Sequence, residues 1–173
     1  MYNTKMINEK SLLKSLSTFG TRGPFDHCVI DNFFKKQIAL ELEEEFPNFD
    51  SDQWHQYNNQ IEVKKVCNNW NVFPKLTYQV FNYLNSDEFL KTLRSVIFKN
   101  KNLYPDVGLN GGGWHIHKQG GKLNTHLDYS LHPKLGLQRK LNIIIYLNYN
   151  WQKDWDGNLG LWSNESDQKP GNL

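Results

Sequence analysis

Residues 111–128 read GGGWHIHKQGGKLNTHLD, and the spacing of their histidines decides how the rest of the chain is read. Successive side chains of an extended strand alternate faces. Lys122, Asn124, His126 and Asp128 therefore share one side, and Leu123, Thr125 and Leu127 share the other. A polar face backed by an apolar one suits a strand that lines a wet pocket. An imidazole and a carboxylate on that face can chelate a divalent ion, and the mixture suits iron(II) better than an all-thiolate or all-oxygen set. Alone, the pair reads better as an ion pair on a solvated strand face than as a metal site. The same parity puts His115 beside His117, and Gly120-Gly121 between the two runs easily makes a turn needing positive φ.

Strand texture continues downstream. LNIIIYLN, Leu141 to Asn148, is β-branched and almost continuously apolar, as expected of a central strand buried on both faces. Asp156-Gly157 is a turn signal before a further strand through Leu159, Leu161 and Trp162. Upstream, the pattern is mixed and helix-rich. FDHCVIDNFF, residues 25–34, reads as a short strand leading into a helix whose Ile38, Leu42 and Phe46 fall four apart before Pro47 stops it. A second helix is expected from Lys75 to Leu84. A third follows the N-cap Ser86, with Asp87 and Glu88 in its first turn and an apolar stripe of Phe89, Leu90, Leu93, Val96 and Ile97. Helices first and short strands afterwards predict an α+β protein with a sandwich or barrel-like β part.

The 173 residues suit a single domain, 1–173, with a helix-rich support over 1–110 and strands over 111–173. Twenty Lys and Arg against 18 Asp and Glu leave a formal charge of +2. The basic residues are scattered, so neither nucleic acid nor a membrane is an expected partner. Cys28 and Cys67 form no metal or redox pair in sequence, and the N-terminus lacks the apolar run of a signal peptide. A reducing, cytoplasmic setting is the expectation. His27, His55 and His132 fall in support or loop segments and are read as surface histidines.

Four pieces stand in one order: GGGWHIH, GGKLNTHLD, RKLNIIIYLN and GNLGLW. That series resembles the iron(II)- and 2-oxoglutarate-dependent oxygenases of the prolyl 4-hydroxylase type, over about Phe25 to Trp162 and most sharply from Leu109 onward. The resemblance implies a double-stranded β-helix, or jelly roll, of eight strands. Residues 114–117, 123–128, 141–148 and 158–162 would be its first four. It further implies His126 and Asp128 as metal ligands, Tyr146 as a phenol donor to the distal carboxylate of 2-oxoglutarate, and His117 facing that cosubstrate. A charged acceptor shortens and strengthens such a phenol hydrogen bond. The implied cofactors are Fe(II) and 2-oxoglutarate, with ascorbate as an optional accessory. The implied reaction turns 2-oxoglutarate into succinate and carbon dioxide while hydroxylating a peptidyl proline, another peptide residue or a small molecule.

Two departures qualify the likeness. The family's second metal histidine and its 2-oxoglutarate-binding basic residue come late, whereas after Asp128 the only histidine here is His132, too near to act as the distal ligand. Asp156-Gly157 stands where relatives carry two glycines, and Gly160 replaces a bulkier residue. The expectation is a truncated member holding half of the β-helix, with little turnover of its own. It would cover its strand edges as a homodimer through residues 111–162. A non-catalytic binding protein on the same scaffold is the competing class.

Overall fold

A computed structural model of the protein describes residues 6–99 and 101–164. Four helices come first: α1 Glu9–Leu16, α2 Lys36–Glu44, α3 Lys75–Leu84 and α4 Asp87–Val96. Ser86 caps α4 as its sequence requires, its hydroxyl accepting from the Phe89 amide at 3.2 Å. α3 has no cap of its own. Glu45, at the end of α2, caps it from across the fold, accepting from the Leu76 and Thr77 amides (3.0 and 2.7 Å) and from the Thr77 hydroxyl (2.7 Å). The apolar stripes meet in a core that holds Leu12, Leu16, Leu42, Leu76, Val80, Phe89 and Leu93.

Between α2 and α3 lies a hairpin that the sequence reading passed over, β1 His55–Asn58 and β2 Glu62–Cys67. Its turn is made by Asn59, whose side-chain oxygen accepts from the Ile61 and Glu62 amides (2.8 and 2.9 Å). β3 Trp114–Ile116 and β4 Lys122–Leu123 pair antiparallel with β2 in tandem, Trp114 opposite Cys67, Ile116 opposite Lys65 and Lys122 opposite Val63. β3 and β4 thus act as one strand interrupted by an excursion over residues 117–121. Gly120 turns it at φ +79, and a Cβ on Gly121 would lie 2.8 Å from the Lys118 carbonyl oxygen. Trp114 buries against Phe46, Trp54 and Phe73 in a second, aromatic core.

Several strand expectations need correction. β4 stops at Leu123 because β2 begins at Glu62: Asn124 still donates to the Ile61 carbonyl (2.9 Å), and beyond it the chain has run past its partner. Leu127, expected against an apolar backing, is 88% exposed. Residues 141–148 are not a central strand. Leu141, Ile145 and Leu147 lean on the helical core, Ile143, Ile144 and Tyr146 are exposed, and no strand pairs with the segment among the described residues. Without a neighbour to complete the ladder, β propensity alone does not make a strand. Residues 25–34 and 158–162 are likewise not strands, although Phe34 makes an isolated bridge to Ile7. Asp156 and Gly157 both take positive φ (54 and 77) after a short 3-10 helix, but no turn is formed there. The mixed helix and antiparallel sheet fit an α+β fold. Among the described residues, no helix is long and apolar enough to cross a membrane.

Candidate metal centre

Beyond β4 the chain carries His126 and Asp128, and the structure brings them together: His126 Nε2 lies 3.4 Å from Asp128 Oδ1, with the two side chains 38% and 47% exposed. The imidazole is oriented from behind. His126 Nδ1 sits 2.7 Å from the Asn124 carbonyl oxygen, which can only accept, so in the neutral ring Nδ1 carries the proton and Nε2 is the nitrogen free to ligate, on the side of the carboxylate. Asn124 is itself anchored, its side-chain amide donating to the Gln60 carbonyl at 3.0 Å. A ligating histidine is typically held this way, by its second ring nitrogen on a backbone carbonyl.

The other carboxylate oxygen is engaged by residues that the sequence reading missed. Arg139 Nη2 lies 3.3 Å from Asp128 Oδ2, and the Asn142 amide donates to the same oxygen at 3.4 Å. Arg139 returns to Asp128 because residues 130–139 close on themselves: Arg139 N donates to Ser130 O (2.8 Å) and His132 N to Leu137 O (2.8 Å). Its guanidinium also stacks 4.6 Å over the Tyr129 ring, whose hydroxyl donates to the Asn110 carbonyl at 2.7 Å. Parity pointed to Asn124 in the sequence. Arg139 had no such signal, since a loop closure brings it there.

Oδ1 of Asp128 and Nε2 of His126 are left facing each other, and donors 3.4 Å apart can both reach one ion at bond lengths of about 2.0–2.2 Å. One nitrogen and one carboxylate oxygen suit iron(II) or manganese. The residues present therefore fit two positions of a metal site. Among the described residues no group of three or more His, Cys, Asp or Glu converges.

His132 is not a surface residue. Its side chain is only 11% exposed, and Nε2 lies 3.2 Å from Asp106 Oδ1, off the line of a hydrogen bond, with no hydrogen-bond partner for either atom among the described residues. Its Nδ1 accepts from the Lys134 and Leu135 amides (3.2 and 3.1 Å). His27 is also half-buried, its Nδ1 donating to the Phe25 carbonyl at 2.7 Å, whereas His55 is exposed as expected.

Among the described residues no hydrogen bond or ion pair joins Tyr146 or His117 to the His126–Asp128 pair. Tyr146 is 63% exposed as a residue. Desolvation of its hydroxyl pushes its pKa up, against a smaller downward pull from the Leu159 backbone amide. His117 follows β3 and lies near enough to His115 to act on it electrostatically, while Trp114 is buried. Desolvation and then the Lys64 ammonium push both histidines below the ordinary imidazole value; the Gly112 backbone and Glu62 partly oppose this at His115, and Glu62 at His117.

Residues 112–172 match the family model of the 2OG-Fe(II) oxygenase superfamily. The match takes in His117, His126, Asp128, Arg139, Asn142 and Tyr146. It points to the superfamily as a whole and does not single out the prolyl 4-hydroxylase type. No curated protein and no solved structure matches the chain.

Proposed function

We propose that this protein is an iron(II)- and 2-oxoglutarate-dependent dioxygenase in which His126 and Asp128 supply two ligands of the metal. The observation that carries the reading is the convergence of those two side chains at 3.4 Å inside the segment that matches the superfamily. When bound, iron(II) with 2-oxoglutarate supplies the power to activate dioxygen and hydroxylate carbon. The chain's own residues orient the donors. The Asn124 carbonyl fixes the His126 tautomer, and Arg139 and Asn142 hold one carboxylate oxygen so that the other faces the imidazole. Tyr146 and His117 are assigned to the cosubstrate, the phenol as a donor to its carboxylate. A peptidyl proline is the leading substrate class, followed by another peptide residue or a small metabolite, with ascorbate as an accessory reductant.

The test is anaerobic: adding 2-oxoglutarate to iron(II)-loaded protein should produce a metal-to-ligand charge-transfer absorption that Asp128→Ala loses. An iron(II)-loaded wild type that shows no such band would reject the reading.

A further inference from the structure

We infer that the pocket between Phe49, Lys65 and Lys118 is a binding site for a compact oxyanion, the carboxylate or phosphate group of a small ligand. The cavity holds about 190 Å³ and is lined also by Asp50, Gln56 and Tyr57. Two ammonium groups converge on one aromatic ring. Lys65 Nζ lies 3.9 Å from the Phe49 ring centroid while donating to the Phe49 carbonyl at 2.7 Å, and Lys118 Nζ lies 4.9 Å from the same centroid. Among the described residues neither ammonium has a carboxylate within ion-pair distance, although Asp50 lines the same cavity. Lys64, also on the pocket wall, contrasts with them, being neutralised by Glu62 at 2.8 Å.

Two cations drawn to one ring repel each other, and an oxyanion bound in the pocket that both line would offset that repulsion with charge-assisted hydrogen bonds. The backbone builds the arrangement. Lys65 is fixed by its register opposite Ile116 and Gln56 in the sheet. Lys118 is carried over the pocket by the excursion between β3 and β4, which the Gly121 position permits only without a side chain. A water takes about 30 Å³ of liquid, so the pocket has room for an anionic group with a few attached atoms. The site does not depend on bound iron.

The experiment is an amide chemical-shift titration of the metal-free protein with inorganic phosphate and, separately, with succinate, at constant ionic strength. Saturable shifts at Phe49, Gln56, Lys65 and Lys118 are expected. Lys118→Ala should weaken binding about tenfold, the scale of one lost hydrogen bond to a charged group, while Lys118→Arg retains it. Lys118 is exposed, so both variants keep the fold. Saturation by phosphate alone would assign a phosphorylated ligand, and by succinate alone a carboxylic acid. Saturation by neither, or equal affinity in Lys118→Ala, would overturn the proposal.

Discussion

His126 with Asp128 and His132 with Asp106 are the same two residue types at nearly the same separation, 3.4 and 3.2 Å, and their rings are wired in opposite ways. In the first, the ring's Nδ1 donates to a carbonyl and frees Nε2. In the second, Nδ1 accepts from two backbone amides, so the neutral ring carries its proton on Nε2, toward Asp106. The first pair is half-exposed and offers a lone pair to a cation. The second is more enclosed: its ring ties the 130–139 loop to itself through the Lys134 and Leu135 amides and lies against Asp106, whose other oxygen accepts from the Asn110 amide at 2.7 Å. Backbone wiring of the ring, more than the distance to the carboxylate, separates a ligand from a clamp.

The contrast is most strongly broken at the clamp. His132→Ala should destabilise the fold by about 1 kcal/mol, because it removes the acceptor of the Lys134 and Leu135 amides and the packing of a largely buried ring; urea denaturation measures it. At the open pair, His126→Ala should change stability by less than about 0.5 kcal/mol, as expected for an exposed ion pair. Equal losses in the two variants would erase the distinction. Arg139→Ala links the pairs, since Arg139 reaches Asp128 through the loop that His132 holds. It should lower metal affinity about tenfold while leaving urea stability nearly unchanged, a split that calorimetry alongside denaturation resolves.

The smallest expected effect concerns His115 and His117, which the sheet and Lys64 drive below the ordinary value of 6.5. A folded pKa depressed below the unfolded one means that the unfolded chain binds more protons between the two values. Stability should therefore fall as pH drops from 6.5 through that window. His115→Gln should flatten the pH dependence of urea midpoints, and an unchanged slope would contradict it.

Local signals in the sequence held where local physics decides. The Ser86 cap, the apolar stripes of α2 and α4 and the positive φ of Gly120 all depend on neighbours within a few residues. The pairing of His126 with Asp128 was also legible, although the strand meant to present it ends at Leu123. Long-range partnership was hidden. The apolar run 141–148 looked like a central strand because composition does not reveal whether a neighbouring strand exists, and here it rests on helices instead. Arg139, Asp106 and His132 meet through loop closure, which leaves no periodicity to read. The β1–β2 hairpin was missed because its turn is an Asn59 side-chain motif with no glycine or proline at its centre.

The most direct measurement is manganese(II) binding by calorimetry to the wild type, His126→Ala and His132→Ala. The account predicts saturable binding by the wild type, loss of more than about tenfold in affinity in His126→Ala, and retention in whatever fraction of His132→Ala remains folded. Wild-type affinity in His126→Ala would contradict it.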